Sequence, residues 1–226
     1  MQRHFEKELE SLKTNLIKMG SIAEDAVGTA IKSLITHNSS LAQKIIEGDE
    51  RVNVLEMEID NAIVDLLALQ QPVASDLRLI LAAQKINNDL ERIGDHAVNI
   101  AESALTLART PLDEPLLDLP KMAEIAQTML RNALDSFIHR DASLGNSVLV
   151  QDNIIDDLNR SMTRQVVELM KSKQGTIDGG LDLIRVSRNL ERIADLATNI
   201  AEEVIFIAEA RIVKHHADEN NAKGNS

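Results

Sequence analysis

The stretch "DLERIGDHAVNIAE", residues 89–102, returns as "NLERIADLATNIAE", residues 189–202, with Glu91 and Glu191 placed 100 positions apart (191 − 91 = 100). Ten of the fourteen positions are identical (Leu, Glu, Arg, Ile, Asp, Ala, Asn, Ile, Ala, Glu). Shared helical composition alone does not give that agreement, so the chain reads as a duplication. On a wheel of about 100° per residue, Leu90, Ile93, Ala97, Ile100 and Ala104 share one apolar sector that must face a bundle interior. Glu91, Asp95, Asn99 and Glu102 fall together on its flank, as do Glu191, Asp195, Asn199 and Glu202 in the second copy.

Outward from this repeat, helical periodicity divides the chain into six segments. The first runs from about Arg3 to His37 and carries Leu9, Leu12, Leu16, Met19, Ala23, Ala26, Ala30 and Leu34 as one apolar stripe. In "HNSSLAQ", Ser40 and Gln43 have capping-box spacing and open a second helix to Gln70. Pro72 ends it, and the third helix, which holds the first copy, reaches about Arg109. Pro111, Pro115 and Pro120, out of 4 prolines in the chain, mark a linker, and Asp118 is placed to cap the next helix. A fourth helix to His139, a fifth over Leu144–Lys173 and a sixth ending near His215 complete the pattern. The expected fold is all-α: two tandem antiparallel three-helix bundles, six long helices related by a pseudo-twofold. The bundles occupy residues 1–110 and 121–215, with a proline-rich linker over 111–120 and a polar tail over 216–226.

Composition narrows the function. Only 1% of the residues are aromatic, so the core must be Leu, Ile, Val, Met and Ala, a mixture that suits helix-on-helix packing. Net charge is −12 and bases are scattered among acids, which argues against direct binding of nucleic acid or anionic lipid. With no cysteine, thiolate zinc sites and cysteine catalysis are excluded. The charged start "MQRHFEKELESLK" and the lack of a long apolar run imply a cytoplasmic protein with no membrane insertion. There is no Glu-x-x-His pair, no His-Glu-x-x-His and no nucleotide-binding loop. His96, replaced by Leu196 in the second copy, reads as a surface histidine; Met122, Met129, Met162 and Met170 read as core filler. Arg78, near the apolar start of the third helix, suggests an ion-pair anchor or a partner contact.

Two carboxylates four residues apart on one helix face repel each other by about 0.2–0.5 kcal/mol when exposed. Arg92 and Arg192 point roughly a quarter turn off that stripe on the wheel, so a multivalent cation is the natural neutraliser. One helix offers too few ligands, and a second stripe exists: Asp49, Asn53, Glu56 and Asp60 on the second helix, with Asp152, Asp156 and Asn159 on the fifth. An all-oxygen donor set suits Mg²⁺, Ca²⁺, Mn²⁺ or ferric iron, with zinc less natural. An acidic stripe alone is usually a solvated face; recurrence on two helices in each of two halves is what gives the metal reading weight.

The segments "FEKELESLKTNLIKMGSIAEDAV", "GDERVNVLEMEID", "PVASDLRLILAAQKINNDLERIGDHAVNIAE" and "NLERIADLATNIAEE" together resemble the PhoU family of phosphate-transport regulators over essentially residues 1–215. The resemblance implies metal ions or clusters on Glu/Asp-x-x-x-Asp motifs, carried here by Glu91 and Asp95 with Asp49 and Asn53, and by Glu191 and Asp195 with Asp152 and Asp156. Glu56, Asn99 and Asn199 are outlying candidates, and the ions implied are Fe, Mg, Mn or Zn. Because Asn53 stands where Asp156 stands later, the first site is expected to hold fewer or weaker-bound ions. The resemblance further implies a negative regulator of the phosphate-starvation response rather than an enzyme. In that role it is an adaptor between the ATPase subunit of a phosphate ABC transporter and a sensor histidine kinase, and exposed apolar residues suggest a homodimer. A carboxylate-bridged metallohydrolase and a metal-free helical scaffold are the competing readings of the same acids.

Overall fold

The computed structural model describes residues 2–72, 74–109, 118–172 and 176–214. Most of the proposed linker, residues 111–117, and the proposed tail lie outside the described residues. Seven helices account for nearly all the rest: α1 (Gln2–Ile35), α2 (Ser39–Gly48), α3 (Glu50–Gln70), α4 (Ala74–Arg109), α5 (Leu119–His139), α6 (Ala142–Ser172) and α7 (Ile177–Glu209).

The departures from the six expected helices have local causes. The second helix is interrupted, because α2 and α3 abut at Asp49, whose φ −60 and ψ −37 nevertheless remain helical. The capping box does not form; Asn38 caps α2 instead, its side-chain oxygen accepting from the amides of Ser40 and Leu41 at 3.1 and 3.2 Å. Gln43, freed of that duty, donates to Glu47 at 2.9 Å. Asp118 makes no capping bond and accepts from Gln165 of α6. Asp141 starts α6 two residues early by accepting from the amides of Ser143 and Leu144. α7 stops at Glu209 rather than near His215, because Ala210 adopts a left-handed φ of 54 and closes the helix on the Phe206 carbonyl.

Helices α1 to α4 make one bundle and α5 to α7 the other, and one hydrophobic cluster runs through both. In α1 the stripe is buried as expected except that Val27, not Ala26, takes the inward position. Met122, Met129 and Met162 are fully buried, and Met170 is packed at the margin. Each buried Leu, Ile, Val or Met contributes about 1.5–3 kcal/mol. Where α6 crosses α7, Gly145 leaves room for the neighbouring backbone; a Cβ there would sit 3.3 Å from the Ala201 carbonyl oxygen.

The halves are joined chiefly by α4 lying antiparallel against α7. Lys85 pairs with Glu203 (2.7 Å) and His96 with Asn189 (2.9 Å), so residue numbers rise along one helix as they fall along the other. The crossing falls near Ile93 and Ile193, equivalent positions of the repeat, as a twofold between duplicated halves requires. This seam is partly polar: Asp89, His96, Asp182, Asn189 and Glu203 are buried along it. His96 is therefore no surface residue, and its Nε2 is buried without a hydrogen-bond partner. Burial lowers its pKa, countered by the Asn189 contact. A second contact joins α1 to α5 through Arg131 and Glu24 at 2.9 Å.

Burial pushes the Asp89 carboxyl up to about 6, against the opposing pull of Arg92 and of Asn199 across the seam. A carboxyl raised in the folded state binds protons more tightly there than in the unfolded chain. Its ionisation costs stability as pH climbs from about 4 to about 6, on the order of 2–3 kcal/mol in all. Asp89→Asn, which installs the residue found at Asn189, is expected to raise the unfolding free energy by about 1–2 kcal/mol at pH 7.5 and to change it little at pH 4. Urea denaturation at the two pH values measures the difference.

Candidate functional site

In the first half the apolar stripe Val52, Leu55, Ile59 and Ile63 seats α3 in the core. Its flank then presents Asn53, Glu56 and Asp60 towards α4. The register between the two helices is pinned by Asn87, whose buried amide donates to Asp60 Oδ1 at 2.8 Å and to the Glu56 carbonyl at 3.1 Å. Gln84 donates to the same Asp60 oxygen at 2.8 Å. Asp60 is thereby committed to holding α3 on α4.

The remaining acids crowd together. The Glu91 carboxyl is raised first by burial and then by repulsion from Asp95, Glu56 and Asp49, with Arg92 opposing. Asp49 is raised by burial and by Asp95, and Glu56 by burial, Asp60 and Asp95. Close approach of α4 to the α2–α3 junction makes this possible: a Cβ on Gly94 would lie 3.5 Å from Val52 Cγ1 and 3.9 Å from Asp49 Oδ1. Asn53 makes only a long 3.5 Å contact to Asp49. Asn99 lies half-buried one turn beyond Asp95.

The second half repeats the theme with different partners. Asp152 of α6 is buried, and Glu191 of α7 is raised by burial, Asp156 and Asp152, while Arg192 and Arg188 oppose. Asp195 lies half-buried one turn along α7. Asp156 has a basic neighbour that the wheel did not anticipate, Arg160 at 3.5 Å. Asn159 does not face the acids; its carbonyl oxygen accepts from Ser187 at 2.6 Å, a pin equivalent to Asn87 in the first half. Asn199 lies against Asp89 on the seam, and Glu202 is buried with Lys214 at 3.3 Å, so both leave the acidic stripe. Lys214 was hidden from periodicity because it follows the end of α7. Asn87 was legible as an asparagine beside the apolar sector of the wheel.

Aligned by sequence, the two acidic stripes carry the same number of acids. The first reads Asp49, Asn53, Glu56 and the second Asp152, Asp156, Asn159, so each has two acids and one amide, with the amide moved by one turn. With Glu91, Asp95 and Glu191, Asp195, each half supplies four carboxylates. The donor set is all oxygen and suits a hard cation. Among the described residues, no three His, Asp or Glu side chains stand close enough to close around an ion. The acids share a face without forming a finished cage. Arg78 makes no ion pair among the described residues, and its Nε is buried without a hydrogen bond.

Two helical bundles in tandem, each with a carboxylate face between its last two long helices, define the class. The PhoU domain family model matches residues 16–104 and 119–204, and the chain belongs to the PhoU family. It is 38% identical over 209 residues to a phosphate-specific transport system accessory protein PhoU homolog of Aquifex aeolicus, spanning 92% of this chain and 95% of that protein. The crystal structure of PhoU from Pseudomonas aeruginosa matches with a TM-score of 0.89 at 38% identity, covering 92% of this chain and 100% of the other. The phosphate transport system regulatory protein PhoU from Streptococcus pneumoniae matches with a TM-score of 0.85 at 30% identity, covering 93% and 99%.

Asp95 is the charge that Asp49, Glu56 and Glu91 all feel. Asp95→Asn is expected to stabilise the protein in EDTA at pH 7.5 by about 0.5–1 kcal/mol, the sum of a few exposed like-charge repulsions. Urea denaturation measures it; a loss of stability would mean that the acids are not in mutual repulsion.

Proposed function

We propose that this protein is a negative regulator of the phosphate-starvation response and of phosphate uptake. It acts as a cytoplasmic, homodimeric adaptor between the ATPase subunit of a phosphate-specific ABC transporter and a sensor histidine kinase. When phosphate is plentiful it holds the kinase in its inhibiting state. Supporting this reading, relatives that match over nearly the whole chain are named as accessory or regulatory proteins of phosphate transport. No described helix is long and apolar enough to cross a membrane, which fits a role beside a transporter rather than within it.

The observation that supports the metal part is the gathering of carboxylates on each face: Asp49, Glu56 and Glu91 are raised by burial and then by neighbouring acids, and Glu191 by burial and then by Asp156 and Asp152. Asp49, Glu91 and Asp95, with Asn53 and Glu56 beside them, would hold an Fe, Mg, Mn or Zn ion in the first half. Asp152, Asp156, Glu191 and Asp195 would do so in the second. Such an ion would supply positive charge where each face has an excess of negative charge, and would tie α3 to α4 and α6 to α7. Its role here is structural, and nothing in the proposal calls for catalysis.

Deleting the gene is expected to derepress phosphate-scavenging genes in phosphate-rich medium, read by a reporter or by phosphatase activity. Normal repression in the deletion strain would overturn the regulatory reading. Independently, elemental analysis of the purified protein is expected to find bound metal that Asp95→Ala and Asp195→Ala each reduce, with a fall in melting temperature on chelation. Metal content and melting temperature unchanged by both substitutions would leave the scaffold reading in place.

A further inference from the structure

The duplicated α4 and α7 differ on their outward faces. On α7, Leu181, Ile184, Arg185, Arg188, Asn189 and Arg192 line a shallow groove of about 390 Å³. Leu181 is 55% exposed, and Ile177, one turn before it, is 48% exposed. Arg185 is held by Asp182 at 3.5 Å, whereas among the described residues Arg188 and Arg192 form no salt bridge. The equivalent face of α4 keeps the apolar pair, Leu77 and Leu81, both exposed. Its charge is different: position 88 is asparagine, Lys85 is bound to Glu203 at 2.7 Å, and Arg92 stands 3.9 Å from Asp89. The first copy therefore serves as an internal control, with the same apolar start and, at the positions equivalent to Arg185, Arg188 and Arg192, no unpaired arginine.

We propose that the α7 groove docks an acidic amphipathic helix of a protein partner, with apolar side chains on Leu181 and Ile184 and carboxylates on Arg188 and Arg192. Charge complementarity selects this occupant. A chain of net charge −12 repels extended polyanions such as nucleic acid or an anionic bilayer. A short acidic helix meets only the local basic strip and gains the apolar contact as well. The proposal rests on the adaptor reading and adds the face and the chemistry by which it engages a partner.

The test titrates full-length protein with the purified transporter ATPase subunit and with the cytoplasmic part of the sensor kinase, at low and at raised sodium chloride. At least one partner is expected to bind, more weakly as salt rises. For that partner, Arg188→Glu/Arg192→Glu and, separately, Leu181→Asn should each weaken binding by about tenfold, whereas Asn88→Glu at the control position should leave it within about twofold. Leu181 lies three turns from Glu191, so its variant separates the groove from the acidic stripe. A partner that binds the wild type and both groove variants equally overturns the groove proposal and leaves the adaptor reading standing. Failure of the wild type to bind either partner overturns the adaptor reading and the groove with it. A change in self-association by sedimentation, with partner affinity intact, assigns the groove to a second copy and also overturns the proposal.

Discussion

The antiparallel contact between α4 and α7 is the constraint on which the rest of the molecule depends. Each of these helices closes its own bundle with one face and meets its counterpart with another, leaving only the remaining flank for acids and bases. A helix so enclosed has little freedom of rotation, because turning it by one residue, about 100°, would bury the acids and expose the core. The position of Glu91 and Asp95 against α3, and of Glu191 and Asp195 against α6, follows from this packing. Buried amide and hydroxyl pins at Asn87 and Ser187 then set the axial register.

The seam shows how strongly context governs ionisable groups. Asp89 and His96 face a low-dielectric environment in which each would rather be neutral; Arg92 and the Asn199 amide soften this for Asp89, and the Asn189 amide does so for His96. The acidic faces are the opposite case: partly hydrated carboxylates, close enough to oppose one another's ionisation. One region trades charge for hydrogen bonds; the other accumulates charge of one sign. The proposed cation would act only in the second.

Fold class and the repeat were legible because a 3.6-residue period over thirty-residue stretches leaves few alternatives. The approach of the acids on neighbouring helices was legible for the same reason, since flank positions on antiparallel helices must meet. What the wheel could not resolve was which flank residues are spent on other contacts. Asp60, Asn159, Asn199 and Glu202 lie in or beside the acidic sectors, yet each is claimed by a partner on another segment. His96 was misread for a related reason: its sector looks outward from one bundle, and only the presence of the second bundle buries it. The break at Asp49 likewise leaves no mark in periodicity, because both sides keep nearly the same phase.

The pairing of His96 with Asn189 breaks the symmetry of the boundary between the two halves. A symmetric dimer of the first half would set His96 level with Asp89, and a symmetric dimer of the second would set Leu196 level with Asn189. The present chain avoids both pairings by having one of each. With His96 on Asn189 and Asp89 against Asn199, the boundary between the halves is chemically asymmetric although the helices that form it are repeats, so the two faces are not interchangeable.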